Sequence, residues 1–154
     1  VPVKSPPNMH PKRPVLGFES KRSEVSGRRL WGLFRERYAH PNEFFADHFI
    51  ANYCPLVFME ESGRNRTPDK LPATERELLD AACQKHLARV FQVLRPEIVV
   101  GVGAYAEKCL ERTMVKAGYE AQLARILHPS PASPAANRDW AGTATKQLKD
   151  ANIW

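Results

Sequence analysis

The spacing of apolar positions changes several times along this chain, and each change predicts an element. Behind Ser26 or Gly27, Leu30, Trp31, Leu33 and Phe34 recur at helical period and predict a helix over 26–38. Residues 41–49 predict a short helix that turns Phe44, Phe45 and Phe49 inward. The run 49–59 is mostly apolar and β-favouring, which predicts a buried strand interrupted by Asn52 and broken by Pro55. A polar loop follows over 60–71. Pro72 suits the first turn of a helix reaching residue 94, and Thr74 with Glu77 has capping-box spacing. Leu79, Cys83, Leu87, Val90 and Leu94 form its apolar stripe, and Arg95-Pro96 stops it.

Ile98-Val99-Val100-Gly101-Val102-Gly103 is the clearest strand of a parallel sheet. A helix over 105–117 turns Cys109, Leu110, Thr113 and Met114 inward and is closed by Gly118. A strand over 122–127 and a last helix over 134–149, with Trp140, Ala144 and Leu148 inside, complete the pattern. Helices and strands alternate throughout. The expected fold is therefore α/β, three-layer α/β/α with a short parallel sheet.

A chain of 154 residues with 43% hydrophobic content can bury one core. No apolar run is long enough to span a bilayer, so no membrane partner is expected. The net charge of +6 suits a polyanion, nucleic acid being the commonest. Cys54, Cys83 and Cys109 lie far apart without a C-x-x-C pair, which argues against disulfides, zinc and iron–sulfur clusters. Free thiols fit a reducing, intracellular setting. The five histidines also lack metal-ligand spacing, so neither metal nor cofactor is expected. Residues 1–15 read as a Pro-rich linker leading into a domain over 16–154. The start at Val1, inside that segment, reads as the interior of a longer protein.

Three places carry candidate chemistry. His128 follows the third strand and opens a loop stiffened by Pro129, Pro131 and Pro134. A polar side chain at the carboxyl end of an α/β strand sits where such folds place ligands. Asn52 offers one carbonyl and one NH2, the complement of an imide or amide edge, although residue type alone favours a structural role for it. Ser23, Ser26, Gly27 and Arg28 stand at a helix start, where free amides bind phosphate; Arg28, Arg29, Arg35 and Arg37 also read simply as a solvated face. Gly101-x-Gly103 is rejected as a dinucleotide site, because Ala106 stands where the third glycine belongs. Its glycines fit close backbone approach at a sheet end.

Four segments taken together are specific. They are Gly17-Phe18-Glu19 with Ser23-Glu24-Val25-Ser26-Gly27; Asn52-Tyr53-Cys54-Pro55-Leu56 with Phe58-Met59; Val100-Gly101-Val102-Gly103; and His128-Pro129-Ser130-Pro131 with Asn137 and Trp140. In this order they resemble the single-strand-selective monofunctional uracil-DNA glycosylases of the uracil-DNA glycosylase superfamily. The resemblance implies excision of uracil and 5-substituted uracils from single- and double-stranded DNA, by a monomer acting without metal. It implies a nuclear location in a eukaryote, or the cytoplasm and nucleoid in a bacterium. Asn52 matches the asparagine that pairs with the flipped base, and His128 the catalytic histidine facing the base O2. The loop with Ser130, Pro131, Ala132, Ser133 and Asn137 resembles the wedge that enters the duplex, and Ser23, Ser26, Gly27 and Arg28 would grip phosphate. The family's first motif, a Gly-Met-Asn-Pro-Gly-type segment that supplies the water-positioning residue and the central first strand, does not occur in these residues. The chain is thus expected to be the carboxyl-terminal part of a glycosylase. The competing expectation is a glycosylase-like module that binds DNA without cutting it.

Overall fold

The computed structural model describes residue 4, residues 6–21 and residues 23–154. The first three residues of the expected linker, and its fifth, lie outside them. Among the described residues, five α-helices and four short strands follow a 3-10 turn at Gly17–Glu19. In chain order they are α1 (Val25–Arg37), α2 (Pro41–Asp47), β1 (Phe58–Met59), β2 (Asn65–Arg66), α3 (Ala73–Leu94), β3 (Ile98–Val102), α4 (Ala104–Ala117), β4 (Gln122–Ile126) and α5 (Pro134–Asp150).

The centre is the unit β3–α4–β4. Its two strands pair in parallel, with Val100 opposite Ala124 and Val102 opposite Ile126. Side chains alternate across a sheet. Val99 and Gly101 therefore face α4, which packs on both strands and carries α3 behind it. Gly101 is required there: a Cβ would stand 2.5 Å from the Glu107 amide nitrogen. The opposite face holds Val100, Val102 and Ile126 against Leu33 of α1 and Trp140, Ala144 and Leu148 of α5. This is the helix–sheet–helix layering that the alternation predicts. Both helix stops are met as expected, Arg95 (φ 49°) ending α3 and Gly118 (φ 58°) ending α4 in left-handed conformation.

Four expectations are corrected. The run 49–59 is not a buried strand. Only Phe58–Met59 is extended and paired, in a hairpin with Asn65–Arg66 turned by Gly63 (φ 81°). Phe49, Leu56 and Val57 are 63%, 58% and 68% exposed. Strand geometry needs a neighbour for its backbone groups; among the described residues none runs beside 49–57, and Pro55 offers no amide. In α2 only Phe44 turns inward, stacked on Phe34 at 4.3 Å, while Phe45 is exposed. Thr74 caps nothing, since α3 begins at Ala73 after Pro72. Phe91, not Leu94, completes the α3 stripe.

Helix α5 is broken within itself. Asp139 is extended (φ −160°, ψ 85°), and its carboxylate accepts the Gly142 amide at 2.9 Å, so that it caps a second helical run beginning near Trp140. The Pro-rich opening is attached to the hairpin. Arg13 Nε donates to the Gly63 carbonyl at 2.9 Å, and His10 Nε2 lies 3.2 Å from the Glu61 carbonyl.

Candidate functional site

His128 stands just beyond the carboxyl end of β4, and its surroundings hold it from four directions. Leu127, the residue before it, has both backbone groups engaged by α5: its amide donates to Gln147 Oε1 and its carbonyl accepts Trp140 Nε1, each at 2.7 Å. From the sheet, Gly103 (φ 94°) donates its amide to the Ile126 carbonyl at 2.9 Å. A Cβ at Gly103 would stand 2.9 Å from the His128 Cβ, so only glycine lets β3 end this close to the histidine. The Ser130 amide donates to His128 Nδ1 at 3.1 Å. With Nδ1 accepting, the neutral ring carries its proton on Nε2, which becomes the donor. His128 itself is exposed, so that donor faces solvent or a ligand.

The loop beyond is a folded turn. Ser130 Oγ accepts the Ala132 amide at 3.1 Å, the Ser133 amide donates to the Ser130 carbonyl at 3.1 Å, and Ser133 Oγ caps α5 by accepting the Ala136 amide at 3.3 Å. Pro131 and Ala132 are left exposed at the tip. Asn137 Nδ2 returns to the Pro131 carbonyl at 2.8 Å. Arg29 closes the arrangement from α1. Its Nη1 donates to the carbonyls of Pro129 (3.0 Å) and Ser130 (3.4 Å), and its Nη2 to Asn137 Oδ1 (2.9 Å). Arg29 is therefore no solvated charge, unlike the exposed Arg28 beside it.

The helix start expected to offer free amides does not. Glu24 caps α1, and its carboxylate accepts the amides of Ser26 at 2.9 Å and Gly27 at 2.6 Å. Partial burial raises the Glu24 carboxyl; the two amides and the Ser26 hydroxyl together outweigh this and hold it below the usual carboxylate range. A carboxylate thus occupies the position where a phosphate was expected. Ser23 and Arg28 are exposed beside it.

Asn52 differs from the expectation of a buried amide. It is exposed, in irregular chain, with no hydrogen bond to the described residues. Its neighbour Tyr53 is anchored, its ring 5.9 Å from Tyr105 and its hydroxyl 3.4 Å from the Asp80 carbonyl. Burial, with Cys109 and Asp80 nearby, pushes both phenols up. Tyr105 opens α4 directly after β3, so Asn52 is tethered at the same end of the sheet as His128. No group of three or more His, Cys, Asp or Glu side chains among the described residues is arranged to hold a metal ion. Nor is any described helix long and apolar enough to cross a membrane.

Arg29, Gln147 and the indole of Trp140 escape sequence reasoning as site residues. Arg29 acts on a backbone group 100 residues away, Gln147 on one 20 away and Trp140 on one 13 away, and of the three only Trp140 was marked, as part of a segment that carries the resemblance. Sequence comparison completes the picture. The chain is 46% identical over 152 residues to the single-strand selective monofunctional uracil DNA glycosylase of Bos taurus, covering 99% of this chain and 56% of that protein. The corresponding protein of Mus musculus is 46% identical over 152 residues, with 54% of it covered, and that of Rattus norvegicus 47% over 151 residues, with 54% covered. The chain spans about half the length of the curated relatives it matches. Residues 12–152 match the family described as the uracil DNA glycosylase superfamily, and the chain belongs to that superfamily.

Proposed function

We propose that this chain forms the base-recognising part of a DNA repair glycosylase that hydrolyses the N-glycosidic bond of uracil and 5-substituted uracils. The observation that carries the reading is the His128 corner, a ring whose Nε2–H is preset as a donor at the mouth of an α/β sheet. In the reaction the electron pair of the N1–C1′ bond leaves with the base, and water adds at C1′. Negative charge gathers on the uracil ring, and a donor already in place at O2 stabilises it without reorganisation. The target base must leave the stack to reach such a pocket. Asn52, exposed in the structure, pairs with the imide edge of the flipped base and takes up a fixed position only then. The Pro131–Ala132 tip enters the space the base leaves, in duplex as in single-stranded DNA. The reading places the protein as a monomer inside the cell, with the genome. It also assigns the water-positioning step to a Gly-Met-Asn-Pro-Gly-type segment, which these residues lack.

The test is cleavage of a labelled single-stranded uracil oligonucleotide by this chain and by a form extended upstream with that motif. Only the extended form should cut, and His128→Ala in it should cost about 100- to 1,000-fold in rate. Cutting by residues 1–154 alone would refute the need for the motif. An extended form that binds uracil DNA tightly and never cuts it would replace the enzyme with a binding module.

A further inference from the structure

Arg29 is partly buried and forms no ion pair with a carboxylate among the described residues. Its guanidinium faces three neutral acceptors instead. Two are the carbonyls of Pro129 and Ser130, where the loop leaves His128; the third is Asn137 Oδ1, where the loop returns to α5. Asn137 relays the contact inward through its own bond to the Pro131 carbonyl. One rigid fork therefore spans both ends of a loop that starts 100 residues away in sequence. A planar guanidinium can hold several acceptors in fixed directions, whereas an ammonium is a compact point charge. Ser130 is held by the fork at its carbonyl and holds the His128 ring with its amide.

We infer that Arg29 is a positioning residue for the glycosylase reaction: it locks loop 129–137 so that Ser130 keeps the His128 ring aimed with Nε2–H outward. The inference rests on the proposed role of His128. Arg29 itself does not touch the base; it acts through the loop backbone. Displacing a preset donor by about 1 Å is enough to lower a rate about 100-fold.

The test compares Arg29→Met, Arg29→Lys, His128→Ala and the Arg29→Met/His128→Ala pair in the full-length protein, under single-turnover conditions on a single-stranded uracil oligonucleotide. Arg29→Met should lower the cleavage rate by about 100-fold, with affinity for an uncleavable analogue and its salt dependence unchanged. Arg29→Lys, which keeps the charge and loses the fork, should not restore the rate. The double variant should be no slower than His128→Ala, because the brace has no purpose once the ring is gone. A merely destabilising change would add to the His128 defect instead and would overturn the inference. Should Arg29→Met fail to fold, Arg29→Lys decides: a wild-type rate refutes the brace. Weaker binding with a salt slope reduced by about 1 makes Arg29 a phosphate contact and also overturns it. If His128→Ala cuts normally, the proposed function itself fails; if His128→Ala is crippled and Arg29→Met is not, only the brace fails.

Discussion

The two polar side chains expected at the base, His128 and Asn52, are held in opposite ways. His128 is exposed at its ring and fixed everywhere behind it, by Gln147 and Trp140 on Leu127, by the bare Cα of Gly103 and by the Ser130 amide. Asn52 is exposed in irregular chain and held through its neighbour Tyr53. On the proposed function, the contrast is between a donor organised before any ligand arrives and one whose ordering must accompany binding. Fixing a side chain in the free protein moves its entropy cost into folding, whereas a loose one carries that cost at each binding event. The two positions therefore respond differently to substitution.

The largest expected effect is on the fixed side. Trp140→Ala removes a 3%-exposed indole together with the donor to the Leu127 carbonyl. It should cost about 3–5 kcal/mol of stability, read as a shift in the urea unfolding midpoint. Trp140→Phe retains much of the packing and should cost about 1–3 kcal/mol, the expense of an orphaned carbonyl. No loss in Trp140→Phe would mean that the Leu127 bond contributes nothing.

A smaller effect belongs to the cap facing the histidine. Glu24→Ala should destabilise by about 1 kcal/mol at neutral pH. The sign of its pH dependence follows from the lowered carboxyl. A depressed carboxylate contributes stability above its unfolded-state value and loses that contribution as pH falls through the folded one. The gap between wild type and Glu24→Ala should thus close in acid, and a gap independent of pH would count against the cap. The smallest effect on stability is on the loose side. Asn52→Ala should change unfolding free energy by no more than about 0.5 kcal/mol. On the proposed function it should nonetheless erase the preference for a uracil over a cytosine oligonucleotide, measured as a ratio of binding constants. A large stability loss would show that Asn52 is fixed after all.

Much of the central unit was legible from local pattern. Ile98–Val102 and Gln122–Ile126 pair as the apolar runs predict, and the glycines at 101 and 103 serve the close approaches that their spacing suggested. Pro129, Pro131 and Pro134 announced the loop, because they act on their own dihedral angles and those of the preceding residue. The run 49–59 misled for the opposite reason. A strand is stabilised by its neighbour, and apolar, β-favouring residues do not say whether a neighbour is present. The same limit applies to the amides at Ser26 and Gly27. Their place at a helix start was readable, but not that Glu24 would turn back to accept them.

The sequence by itself determined the order of elements from α3 onward, the parallel strand pair and the place of His128 after the last strand. These depend on periodicity, backbone dihedral preferences and chain direction, all of which act between near neighbours. Only the tertiary structure decided which side chains hold His128 and its loop still, and that Asn52 is left outside them. Arg29 and Pro129 are 100 residues apart, and Gln147 and Leu127 are 20 apart. A hydrogen bond requires its partners at about 3 Å in a defined direction, and no local preference encodes that separation.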